Sequence, residues 1–477
     1  MQYKRICYFA AMVFITYFID IQSLVGKCEA QNPIEPPIAP VSRDELPSIR
    51  DAIEAHLGYV TDYCLDEYGE KETGLWLGRI DIRTSKLANR NTPVAKNKKS
   101  EFWGRSNLYL DQPTMVAALE FGRLTGCKCY QESITRYLQD QAKAVSAEVI
   151  NPYYEGLNRD YDLIADKFVA SEKNHLLRFF VPAWEIFFYE SKDFTVRAID
   201  ELSESSMGLI EELLAEKKKG AYEHQVFTKS IYDRSIALSS ITWLAENVDN
   251  VSPKIQRRAE EIVLHSLEQR QRFETLSSRA LTVWINALIT MQRSGKLKTN
   301  EKALTSFLPI FASNPPEGLA RSLDVVLHEH EAPDSTQQPA GRIDRSLIDI
   351  LAYGETCIRA WGISNEPSFL KQAGSCADWV ATLLEDQSIS LKNAESYGRV
   401  IHFLTHYSQH SEHKQYHALA SEVGQEAMEL FYEPRMGMFR SRPDIDECDA
   451  RDGPGFLLLG LLTLLGNDPT DSSALIF

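Results

Sequence analysis

From about Leu46 almost to the end of the chain, apolar residues recur at helical spacing, and this constrains the fold more than any other feature. Helices are expected over 47–67, 112–126, 130–148, 181–190, 194–217, 228–246, 254–271, 277–292, 299–312, 343–361, 366–385, 393–410, 413–432 and 454–465. Breakers separate them, among them Leu124-Thr125-Gly126, Asn314-Pro315-Pro316-Glu317-Gly318 and the stretch from Pro333 to Gly341. Only residues 75–84 (LWLGRIDIRT) suggest a short hairpin or extended arm. Helices joined by short turns pair antiparallel, and one pair cannot bury its apolar face alone, so neighbours must close around a shared core. An open solenoid would repeat a residue signature at a fixed period. These hairpins differ in length and no signature recurs, so the expectation is all-α, an (α/α) toroid of about six hairpins with little β structure.

The segment before Leu46 reads differently. Lys4 and Arg5 precede the apolar run Ile6–Ile19, which is too short for a confident membrane span, and Cys28-Glu29-Ala30 offers small residues for cleavage before Gln31. A signal peptide over 1–30 is expected, with export to the periplasm or the outside. The alternatives are a lipoprotein at Cys28, where Lys27 occupies the place of a small residue, or an uncleaved N-terminal anchor, the chain's only route to a membrane. Residues 31–45 hold four prolines within QNPIEPPIAP and read as an extended leader. Residues 46–477 are then expected to form one toroid domain.

The whole chain carries a net charge of −16, and cleavage after Ala30 would remove Lys4, Arg5 and Lys27 against Asp20 and Glu29, leaving −17. Such a surface argues against a nucleic-acid partner, which needs basic patches. It leaves room for an acidic sugar, because a local cationic cluster can invert the field inside a cleft. Six of the eight cysteines lie beyond the leader: Cys64, Cys127, Cys129, Cys357, Cys376 and Cys448. A large core needs no staples, and Cys127-Lys128-Cys129 is too tight for a zinc knuckle, so most are expected as buried thiols.

Residues 151–185 (NPYYEGLNRDYDLIADKFVASEKNHLLRFFVPAWE) interrupt the helices for longer than an ordinary connection. Tyr153, Tyr154, Tyr161, Asp162, Asp166, His175, Arg178, Trp184 and Glu185 stand in or beside the interruption. Aromatic faces stack on a pyranose, a guanidinium pairs a carboxylate through its planar fork, and acids, imidazoles or phenols move protons. The alternative is a loop that packs on the helices and pairs its own charges.

Three other stretches carry candidate chemistry. Residues 66–84 lead toward Arg105-Ser106-Asn107, where Asp111 is an expected N-cap and Pro113 suits a first turn. In Asn393–Arg399, either Glu395 and Arg399 pair across one turn or Tyr397 faces a cleft. His402, His406, His410, His413 and His417 follow. They include no HExxH motif, and most are expected on a solvated face rather than as metal ligands. In the last stretch, Arg440 and Asp452 could line a mouth, with 454–465 closing the ring. GxSxG, P-loop and dinucleotide fingerprints do not occur.

Several motifs, in order, resemble exported bacterial (α/α)-toroid proteins related to the pectate lyases of polysaccharide lyase family 10 and the six-hairpin glycosidases. They are Tyr68-Gly69 with Asp81-Ile82-Arg83-Thr84, Leu124-Thr125-Gly126, Tyr161-Asp162, His175-Leu176-Leu177-Arg178 with Pro182-Ala183-Trp184-Glu185, Glu395-Ser396-Tyr397-Gly398-Arg399, Phe439-Arg440 and Asp452-Gly453. The resemblance covers most of the chain from about residue 50. It implies the toroid, export and a carbohydrate-facing cleft. The chain departs from the pattern before Tyr161 and at Leu176, where an acidic residue is common.

Three functions follow as expectations. A polysaccharide lyase on a uronic-acid polymer would use Arg178 for the carboxylate and His175 or Tyr161 as base or acid, with calcium on Asp162 or Asp166 as an option. A glycoside hydrolase would use Asp162 with Glu185, or Asp452. A non-catalytic relative would only bind polysaccharide, oligosaccharide or protein. Tyr154, Trp184, Glu185, Tyr397, Arg399, Arg440 and Asp452 are the candidate substrate contacts.

Overall fold

The computed structural model describes residues 46–87, 104–147, 159–169, 181–190, 192–215, 221–296, 300–317, 319, 341–385, 391–450 and 453–466. Each helix expected from periodicity is present. In chain order they are α1 (Ile49–Tyr63), α2 (Leu108–Thr125), α3 (Cys129–Ala147), α4 (Trp184–Glu190), α5 (Lys192–Ala215), α6 (Ala221–Asn247), α7 (Pro253–Glu268), a turn α8 (Arg270–Phe273) and α9 (Ser278–Ser294). Then follow α10 (Asn300–Ala312), α11 (Gly341–Ser364), α12 (Pro367–Glu385), α13 (Ala394–His410), α14 (Gln415–Phe431) and α15 (Pro454–Leu464). The described residues are thus mostly helical, as the hydrophobic pattern requires. None of the described helices is long and apolar enough to cross a membrane.

Consecutive helices pack as hairpins: α2 with α3, α5 with α6, α11 with α12, and α13 with α14. Long-range packing links α15 to α13 and α2, α13 to α11, α11 to α9, and α9 to α6. The apolar side chains from Ala52 to Leu462 form one continuous core. The crossing of α13 and α15 is unusually close. A Cβ on Gly398 would run into the Phe456 carbonyl, and one on Gly460 would run into Gly398, so only glycine lets these backbones meet. The helix α15 (PGFLLLGLLTL) is apolar on all sides because it is buried on all sides.

Among the described residues, eight short strands gather at the N-terminal ends of α2, α13 and α15. β1 (Arg79–Asp81) pairs antiparallel with β2 (Lys86–Leu87), which realises the expected hairpin, and also with β8 (Glu447–Asp449). β3 (Arg105–Ser106), β4 (Tyr161–Asp162) and β5 (Lys167–Phe168) form a second sheet, and β6 (Tyr432–Glu433) pairs with β7 (Met438–Phe439). The β1–β8 pair joins the two ends of the described chain. Buried Arg79 adds to it, with its Nε donating to Glu447 at 2.7 Å. His56 of α1 accepts the Phe439 amide at Nδ1, 3.0 Å, and burial lowers its imidazole to about 4.

The cap of α2 differs from expectation. The helix starts earlier, at Leu108, and Asn107 is its N-cap, accepting from the Leu110 amide at 3.2 Å. Asp111 lies inside the first turn, turned into the core. The expected signal and Pro-rich leader, 1–45, lie outside the described residues.

Candidate functional site

Backbone hydrogen bonds bring the candidate stretches together. The Gly78 amide donates to the Arg105 carbonyl at 2.9 Å, Ala450 to Gly78 at 3.0 Å, Leu163 to Gly104 at 2.9 Å, and Ala394 to Ser441 at 2.9 Å. Gly453, at φ +79°, lies directly against Glu395. The stretches around 66–84, 104–114, 159–169, 393–399 and 437–453 therefore share one end of the helices.

Most of the expected site side chains there are engaged with the protein itself. The Tyr161 ring is buried edge-on against Phe168. Asp162 Oδ1 accepts from the Ile164 and Ala165 amides, both at 3.0 Å, and so holds the turn between β4 and β5. Asp166, at φ +51°, accepts from Glu70 at 2.7 Å and Lys71 at 3.2 Å, latching that turn to the 66–74 loop. These are backbone-anchoring geometries. Among the described residues no group of three or more His, Cys, Asp or Glu is placed to hold a metal ion.

The Trp184 indole is 1% exposed and donates to Ser240 Oγ at 2.9 Å, so no sugar reaches its face. Tyr397 is buried too, donating to Glu426 at 3.0 Å, because its direction on α13 points toward α14. Arg440 is 2% exposed and pairs with Glu433 at 3.1 Å and Asp446 at 3.4 Å. These three belong to the core rather than to a cleft. Glu185 is half-buried, with Oε1 enclosed and unpartnered among the described residues. Burial, with the nearby Glu120, raises its carboxyl against the opposing pull of Arg123. Tyr153, Tyr154, His175, Arg178 and Asp452 lie outside the described residues.

Arg399 and Glu395 form the expected pair one turn apart, Nε to Oε1 at 2.7 Å, and the guanidinium stacks on Phe456 at 4.0 Å. That pair heads a polar stripe. Glu395, Arg399, His402, His406 and His410 are spaced four, three, four and four along α13, which places them on one face. Facing them on α11, buried Glu355 holds both inner imidazoles. Its Oε1 meets His402 Nδ1 at 2.8 Å and its Oε2 meets His406 Nδ1 at 2.6 Å. Burial pushes the Glu355 carboxyl up, but the two imidazoles outweigh it and hold it well below the usual carboxylate range. An ionised carboxylate only accepts, so each Nδ1 carries the proton and each Nε2 is left as the acceptor nitrogen of the neutral ring. One turn along α11, Arg359 donates to Asn286 of α9 at 2.8 Å, and Asn286 donates to Thr356.

Most of the five histidines are exposed, as the sequence suggested, and two are exceptions. His402 and His406 are turned inward, while His410, His413 and His417 are exposed. The four-residue spacing showed a shared face. The deciding partner, Glu355, lies in another helix 47 residues from His402, where sequence periodicity carries no information.

Two more buried acids stand out. Asp111 is pushed up to about 7 by burial, against hydrogen bonds from Tyr137 at 2.8 Å and Ser106 at 3.5 Å. Burial also raises Asp233 of α6 to about 7, and its Oδ2 is enclosed without a partner among the described residues. When the chain is compared with family models and with curated protein sequences, none of them matches.

Proposed function

We propose that the chain is an exported lyase acting on a uronic-acid-containing polysaccharide, with its chemistry in the α11–α13 polar stripe. The observation that carries this is Glu355 fixing Nδ1 of both His402 and His406, one turn from Arg399 on the same helix face. β-Elimination needs a cation to neutralise the uronate, a base for the C5 proton and an acid for the leaving oxygen. In this reading Arg399 exchanges Glu395 for the substrate carboxylate. One imidazole takes the proton at Nε2, and the other, protonated, supplies the leaving group. Arg178 and His175, expected in these roles from the sequence, lie outside the described residues.

The same proposal includes the closed ring. Inner helices α2, α4, α6, α9, α11, α13 and α15 would make seven hairpins with their outer partners, one more than the sequence suggested. Support comes from the neighbour contacts above and from the two links through α4. The Ala183 amide donates to Gln112 of α2 at 2.7 Å, and Phe188 packs on Trp243 of α6. In such a ring the α13 stripe looks inward.

The test is a panel of pectate, alginate and glycosaminoglycans, read by both ultraviolet absorbance of unsaturated ends and reducing ends. Absorbance that disappears in Arg399→Ala and His402→Ala is expected. Silence in both channels overturns the reading. One observation favours a hydrolase instead: burial raises the Asp233 carboxyl to about 7, and its enclosed Oδ2 has no partner among the described residues, which suits a general acid. Reducing ends without absorbance, lost in Asp233→Asn, would establish that alternative.

A further inference from the structure

We infer that Cys127 and Cys129 form a surface thiol–disulfide exchange centre that oxidises the dithiols of extended polypeptides. The two are joined as a disulfide across Lys128, and all three residues are exposed. A cross-link stabilises a fold by closing a loop, and its effect grows with loop length. This one spans a single residue at the α2–α3 turn, so structural stapling gives little reason for it. Its surroundings favour a leaving thiolate. Cys129 is the first residue of α3, and its amide donates to Cys127 Sγ at 3.3 Å. A helix N-terminus and an adjacent lysine both lower a thiol's pKa.

The other described cysteines have the opposite character. Burial pushes Cys64 up to about 12 and raises Cys357, Cys376 and Cys448 as well. Exchange chemistry is therefore concentrated at the turn. One of the exposed large apolar side chains, Leu124 at the end of α2, stands three residues before Cys127. It gives an unfolded or extended chain an apolar contact beside the disulfide.

In the forward step a substrate thiolate attacks Cys129 Sγ. The S–S bond breaks, and its electron pair leaves on Cys127, which takes a proton. The substrate's second thiolate then attacks the mixed disulfide and releases Cys129. The substrate dithiol becomes a disulfide, and the cysteine pair takes up two electrons and two protons.

The test uses the full chain. A reduced peptide dithiol is mixed with oxidised protein, quenched in acid, labelled with an alkylating mass tag and mapped by peptide, which keeps Cys7 and Cys28 separate. Oxidation of the peptide at least about tenfold faster than by oxidised glutathione at the same pH is expected. The 127/129 peptide should become doubly labelled while Cys64, Cys357, Cys376 and Cys448 stay unlabelled. Lys128→Glu, with unchanged circular dichroism, should slow the reaction several-fold. A rate no faster than glutathione's, or labelling of 127 and 129 only after unfolding, would overturn the inference.

Discussion

Glu355 illustrates how one buried charge sets the behaviour of its neighbours. It holds two imidazoles in one tautomer, and removing it would take away the carboxylate that both Nδ1 atoms meet. Glu355→Gln is expected to cost on the order of 3 kcal/mol near neutral pH, read by urea unfolding. Because its folded pKa is depressed, that contribution is present above the ordinary carboxylate range and is lost as pH falls through the folded value. An unchanged urea midpoint at neutral pH would contradict the bridging role. Asp111 has the opposite sign. Its carboxyl rises from 3.8 to about 7, so its contribution is full below 3.8 and is lost as pH rises toward 7. Asp111→Asn should match the wild type in acid and exceed it by on the order of 4 kcal/mol above pH 8. Thermal melts across that range would show the two curves separating, and parallel curves would sink the assignment.

At the scale of elements, the sequence was readable wherever a local rule decided the outcome. Helical spacing located the helices, and the i, i+4 rule identified the Glu395–Arg399 pair. The 75–84 segment became a hairpin as its residues suggested. Reading failed where the partner was distant. Asn107 and Asp111 are both good capping residues, and only tertiary burial decided that Asn107 caps while Asp111 turns inward. Trp184, Tyr397 and Arg440 looked like binding residues by type, but each meets a core partner that periodicity does not reveal. The glycines at the α13–α15 crossing are similar, since nothing local marks Gly398 or Gly460 as contact points. Gly398→Ala should force these helices apart and cost more than about 2 kcal/mol, because backbone rather than a flexible side chain blocks the new methyl. Denaturant titration would measure it. A near-neutral effect would mean that the crossing relaxes easily.

Across the whole molecule, the two ends of the described chain hold each other. β1 pairs with β8, and Arg79, buried against Glu447, seals that junction. Arg79→Ala would leave Glu447 buried without its cation and should cost about 3–5 kcal/mol. Hydrogen exchange should then quicken first in 79–87 and 447–449, and uniform quickening would argue against a local seal. The all-apolar helix α15 adds a consequence in time. It packs on α2 and α13, yet residues 454–464 leave the ribosome long after 108–125. At ordinary translation rates the face of α2 that receives it waits on the order of tens of seconds. The nascent chain therefore carries an uncovered greasy surface for most of its synthesis, and its yield in a cell should depend on how well chaperones shield that surface until the last helix arrives.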